Sequence, residues 1–329
     1  MIERAAGWLA RIAPWSIIGG LAYAAAFVQV QTESKPMAQP LVESRDLFFG
    51  GTALGERAWI VGQHGAVLSG DRAAGTWQRR QLEPAVNLQA IAAAPGGRVV
   101  AVGNGGRLWT GDGDGTWSPQ TLPVSAVGGK LLDAAFVGGH FWVVGEMGAL
   151  FRGDADGAQW TRMREEDDVA FNAVREGPGA SIWVAAEFGR LLSSHDGGET
   201  WQVAELGEES LRALAFHGQD GVAVGNRGLA FATTDGGQHW QRLAAFTTEH
   251  LYDVAVREGR WLAIGDRGAA FTSSSGLRDW QPLAAAGLGR SYYSHLFELA
   301  NGDTVLVGRS IGLLTPDGRY RPWPEESAR

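Results

Sequence analysis

Beyond residue 45 the chain alternates short apolar runs with glycine-rich polar breaks, and the alternation keeps time. In the stretch 88–121, Leu88–Ala92, Arg98–Val102, Leu108–Thr110 and Thr116–Thr121 are each too short for a helix and are bounded by Gly, Pro or Asp. Such runs predict four strands, A to D, joined by tight turns. The same order recurs down the chain. Its outer marker is a tryptophan, at Trp77, Trp117, Trp160, Trp201, Trp240, Trp280 and Trp323, spaced 39 to 43 residues apart. Its inner marker is an apolar run closed by a Gly-x-x-Gly-like turn, as in Val102-Gly103-Asn104-Gly105-Gly106 and Val224-Gly225-Asn226-Arg227-Gly228. Four strands per unit at a period near 40 predict an all-β, seven-bladed β-propeller over 45–325. One blade cannot bury both faces of its sheet, so the units must stack around an axis.

Ahead of each tryptophan lies a turn whose fullest copy is Ser194-x-Asp196-x-Gly198-x-Thr200-Trp201. An Asp that bonds nearby backbone N–H groups, followed by Gly in a left-handed position, makes a tight turn, and the Thr-Trp opens the next strand. Asp235, Gly237 and Trp240 repeat it closely, Asp112 and Trp117 fairly, and the sixth unit lacks the Asp altogether. Decay of this kind marks scaffolding. If the Trp201 ring is fully buried, removing it should cost about 3–5 kcal/mol.

The first residues break the pattern. Residues 12–28 carry no charge, follow Arg4 and Arg11, and precede a polar stretch. They read as a membrane anchor with the body exported, or as a cleaved signal peptide with Ala22-Tyr23-Ala24 as its site. The expected organisation is 1–30 anchor or signal segment, 31–44 polar linker, 45–325 propeller and 326–329 tail. On this reading the propeller lies in the periplasm of a bacterial inner membrane, or is free there after cleavage.

Composition narrows the chemistry. The 329 residues hold no Cys, which excludes disulfides and a thiol nucleophile. The formal charge is −8 with no basic patch, so nucleic acid is not an expected partner. The seven His are scattered without metal-ligand spacing. Asp112-Gly113-Asp114-Gly115 and Asp154-Ala155-Asp156-Gly157 have calcium-loop beginnings but lack the later bidentate Glu. No catalytic residue, cofactor or metal is expected.

With paired Val-Gly-x-x-Gly and Ser/Thr-x-Asp-x-Gly-x-x-Trp markers in each unit, the chain resembles the BNR/Asp-box propellers, and among them the photosystem II stability/assembly factor family. The resemblance covers about 45–325. It implies a non-enzymatic exported propeller that assists a membrane protein complex, and similar bacterial proteins point to RND/MmpL-type transporters as partners. The alternatives are a ligand- or glycan-binding propeller, or a sialidase-like glycoside hydrolase. The second needs an Arg-Ile-Pro opening that Leu47–Leu68 lacks, and six blades rather than seven.

In a propeller the B–C turns and the D-to-A connections share one face. Here they vary in charge and length where the A–B and C–D turns repeat, and recognition favours variable loops on a rigid scaffold. The expected docking residues are Arg107, Arg190, Arg227, Arg267 and Arg309, which suit carboxylates or anionic head groups. The run Arg162–Asp168 is expected as a solvated loop between blades.

Overall fold

The computed structural model describes residues 40–324 except 72–75, 114, 258, 276 and 286, together with residues 15, 18, 19, 21 and 23. The chain divides into two units, Met1–Pro40 and Leu41–Arg329. Of the first, Trp15, Ile18, Leu21 and Tyr23 are helical with exposed side chains. Most of the expected anchor, 12–30, lies outside the described residues. Among the described residues no helix is long and apolar enough to cross a membrane.

The second unit holds seven four-stranded antiparallel sheets, each contiguous in sequence. The expectation for the second blade falls within one residue of what is seen at every strand end. Its strands are Leu88–Ala93, Val99–Gly103, Arg107–Gly111 and Trp117–Thr121. The inner A strands are Phe48–Leu54, Leu88–Ala93, Leu131–Val137, Phe171–Glu176, Leu211–His217, Leu251–Arg257 and Tyr293–Glu298. Each packs beside the next, and the last returns to the first. The ring therefore closes between blades 7 and 1 without a shared strand.

Each seam between neighbouring blades holds one apolar cluster. At the seam of blades 2 and 3, Val100, Val102 and Leu108 meet Phe141, Val143 and Phe151. At the closing seam, Ile60 and Leu68 meet Val305, Val307 and Ile311, and Trp77 stands edge-on to Trp323 at 4.5 Å. A blade exposes two apolar faces, and each face is covered by a neighbour; burying one such side chain stabilises by roughly 1.5–3 kcal/mol.

The C–D turn fastens these seams. Ser194 Oγ accepts the Gly198 N–H at 2.8 Å and donates to Asp196 Oδ1 at 2.8 Å. Asp196 Oδ1 also accepts the Thr200 N–H at 2.9 Å, and the Trp201 indole donates to the Gly198 carbonyl at 3.0 Å. Bonds from the Thr200 hydroxyl and backbone, then from Ser194, hold the Asp196 carboxyl down to about 2. Gly198 sits at φ +90° with a Cβ position only 2.4 Å from the ring of Trp142 in blade 3. Gly237 lies in the same way 2.2 Å from Trp183 in blade 4. Only glycine permits that contact, because the turn of one blade is pressed onto the tryptophan of the one before. Trp201 is half-buried, whereas Trp142 is 1% exposed, so the larger anchor is Trp142.

The sixth blade supplies its carboxylate from the other end of the turn. Asp279, next to Trp280, accepts from the Ser273 and Ser275 hydroxyls and from the Ser274 N–H at 2.9 Å. Those bonds hold its carboxyl well below the usual range.

Candidate functional site

The B–C turns and the A-strand entrances are tied by one repeated bond. The first residue of each turn donates its N–H to the carbonyl just before strand A: Asn104 to Asn87 at 3.0 Å, Glu146 to Lys130 at 2.9 Å, Glu187 to Ala170 at 3.0 Å, Asn226 to Ser210 at 3.0 Å and Asp266 to His250 at 2.9 Å. The glycine ahead of the turn lets that carbonyl in. A Cβ on Gly265 would lie 1.9 Å from the His250 oxygen, and one on Gly225 would lie 2.1 Å from the Ser210 oxygen. Variable side chains thus stand on a backbone that repeats blade after blade.

The five arginines occupy this face in two settings. Arg107 and Arg190 begin C strands and are half-buried; Arg190 pairs with Asp167 at 3.2 Å and Glu205 at 3.8 Å. Arg227 and Arg267 stand at turn tips with side chains 75% exposed, paired with Glu209 at 3.0 Å and Glu249 at 3.5 Å. Arg309 follows Gly308, is exposed, and lies near enough to Tyr292 to oppose the upward pull of burial on that phenol. Arg190, Arg227, Arg267 and Arg309 are on consecutive blades 4 to 7, and Arg107 stands apart on blade 2.

The run 162–168 lies between blades 3 and 4 on the same face. Glu165, Glu166 and Asp168 are exposed, while Arg162 turns inward, 4.9 Å over the Phe151 ring. Of the calcium-like loops, Asp154 accepts the Ala158 N–H at 2.7 Å and Asp156 faces Arg98 at 3.9 Å. Among the described residues no group of three or more His, Asp or Glu could hold a metal.

The sequence reading took the strands as apolar runs and missed a charge network across the channel. A cavity of about 620 Å³ there is lined by Asp133, Arg175, Asp253 and His295 on blades 3, 4, 6 and 7. Arg175 pairs with Asp133, which also accepts the Val174 N–H at 2.9 Å. Asp253 accepts the Leu296 N–H at 3.0 Å and faces His295 Nδ1 at 2.8 Å. A signal existed: Leu131-x-Asp133 and Leu251-x-Asp253 align with Gly50, Ala90, Ala173 and Ala213 at the same register. The charges satisfy one another, so the network stitches inner strands together.

Fold and site together define a seven-bladed propeller with one monotonous face and one variable, charged face. Residues 168–290 match the family model of the photosynthesis system II assembly factor YCF48, and the chain is similar to that family over those residues. No curated protein sequence matches the chain. Among solved structures, YCF48 from Cyanidioschyzon merolae superposes with a TM-score of 0.68 at 15% identity, covering 84% of this chain and 98% of that one. YCF48 bound to D1 peptide gives 0.65 at 18%, covering 80% and 91%. The WD40 propeller domain of Doa1 gives 0.64 at 12%, covering 83% and 93%. At these identities the superpositions speak for the fold.

Proposed function

We propose that this chain is a non-enzymatic, membrane-tethered periplasmic propeller that docks a protein of a membrane complex on its B–C face, as an assembly or accessory subunit. The observation that carries the reading is the unequal construction of the two faces. C–D turns repeat the same Ser/Thr and Asp bonds to their own backbone, while the B–C tips change side chain from blade to blade on a constant backbone, Arg227 and Arg267 at 75% exposure among them. A family relative was solved with D1 peptide bound, which supports a protein segment as the ligand class. The exposed Trp15, Ile18, Leu21 and Tyr23 support a tether through 12–30, which would raise the local concentration of the propeller near a membrane partner. The partner proposed from the resemblance is an RND-type transporter.

The chain carries its own probe. Lys130 is the one lysine after residue 40; it stands on this face at the entrance to blade 3, with its side chain 51% exposed. Amine-reactive crosslinking in native membranes should join Lys130 to peptides of an integral membrane protein. Crosslinks to soluble proteins alone would refute the reading.

A further inference from the structure

Among the described residues, six that are not glycine have left-handed backbone, and five of them share one place in the fold. His64, Met147, Phe188, Arg227 and Arg267, at φ 54, 55, 56, 54 and 50°, each form the tip of a B–C turn; the sixth, Ala180, lies in an A–B turn. Blade 2 shows the relaxed alternative, Gly105 at φ 68° with open space where a Cβ would point. Left-handed backbone crowds an L side chain, so each tip holds its side chain against a steric cost that glycine avoids. Strain of this kind collects where a side chain is needed for something other than folding.

The tips divide into sectors. On blades 3 and 4 they are Met147 and Phe188, and Phe188 is 56% exposed. Val127, 83% exposed, extends this sector, because Met147 packs against its neighbour: a Cβ on Gly128 would sit 2.8 Å from Met147 Cγ. On blades 5 to 7 stand Arg227, Arg267 and Arg309. Glu209 and Glu249, the acid partners of Arg227 and Arg267, form surface pairs that an incoming carboxylate can replace at little cost. The acids beside the apolar tips are engaged: Glu146 accepts the Lys130 N–H at 3.0 Å and Glu187 the Ala170 N–H at 2.9 Å. The exposed Glu165, Glu166 and Asp168 repel negative charge from the apolar side and so give the face a direction.

We infer that this face receives an acidic segment with an apolar anchor, the anchor on Phe188, Met147 and Val127 and the carboxylates on Arg227, Arg267 and Arg309. The inference rests on the docking role proposed above and adds the chemistry of what docks.

Two fluorescein-labelled synthetic peptides test it by anisotropy with the full chain in detergent. One alternates Glu with Ser; the other is the same with Leu-Phe at one end. The second should bind about tenfold tighter, as expected for one buried apolar anchor. Phe188→Gly, which recreates the Gly-Gly tip of blade 2, should erase that preference, keep the affinity for the first peptide, and raise the thermal unfolding midpoint. Equal binding of both peptides by the native chain, a preference that survives Phe188→Gly, or a lowered midpoint would each overturn the inference. Arg227→Glu with Arg267→Glu should weaken both peptides. If the preference stands while this reversal changes nothing, the arginine docking role fails and the carboxylate half of the inference with it. Binding of neither peptide overturns both.

Discussion

His295 Nδ1 lies 2.8 Å from Asp253 Oδ2, and its Nε2 lies 2.8 Å from the Gly51 carbonyl oxygen. A carbonyl only accepts, and Asp253 accepts N–H groups from Val254 at 2.9 Å and Leu296 at 3.0 Å, as an ionised carboxylate does. Both ring nitrogens therefore carry protons, and His295 is an imidazolium. It joins blades 6, 7 and 1 across the seam that no shared strand closes. Burial opposes this charge most, but Asp253 outweighs it and raises the His295 pKa, with Arg175 acting against and Asp133 in favour.

A group raised in the folded state contributes its stability below its unfolded pKa, about 6.5 for His, and loses it as pH rises through the folded value. Urea unfolding from pH 6 to pH 9 should show declining stability, and His295→Gln should flatten the decline. Parallel curves for the two proteins would exclude the imidazolium.

Trp142→Ala should cost about 3–5 kcal/mol, since that ring is 1% exposed and carries the press of Gly198. Trp201→Ala should cost less, roughly 2 kcal/mol, for a half-buried ring on the same seam. Denaturant midpoints rank the two; the reverse order would contradict the seam as described.

Asp279→Asn should destabilise blade 6 by roughly 1 kcal/mol at neutral pH through weakened hydrogen bonds. Because this carboxyl is held low in the folded state, its contribution exists above the unfolded value near 4 and fades as pH falls through the folded one. The difference between native and variant unfolding should shrink on acidification. A constant difference would mean that the carboxylate charge plays no part.

Reversing charge at Arg227, Arg267 and Arg309 together should abolish co-purification of the membrane partner while leaving the circular dichroism spectrum and the unfolding midpoint near native. Arg107 and Arg190, half-buried at the starts of strands, should matter less to recognition. Unchanged recovery of the partner would remove the arginines from the docking role.

The blade count and strand order were legible because a tryptophan and a Val-Gly turn keep one period, and both have local causes. Trp142 and Gly198 are far apart in sequence, so nothing local showed that the turn of one blade presses on the ring of another. The blade 6 turn looked broken because its carboxylate moved from the early position to Asp279. Asp133 and Asp253 were hidden in strands read as apolar, and their partners Arg175 and His295 lie one blade away. The arginines and the order of their units were visible in the repeat, but only the structure shows that Arg227 and Arg267 project from turn tips while Arg107 and Arg190 are half-buried. The strain at Phe188 and Met147 had no trace in composition.

The most direct measurement moves the one propeller lysine from face to face. In native membranes, amine crosslinking through Lys130 is compared with the same reaction in Lys130→Arg, Glu199→Lys, which places the lysine on an exposed C–D turn. Crosslinks to a membrane protein through Lys130, and their loss in the relocated variant, are the predicted result. The same partner captured through position 199 and missed through Lys130 would contradict a B–C docking face.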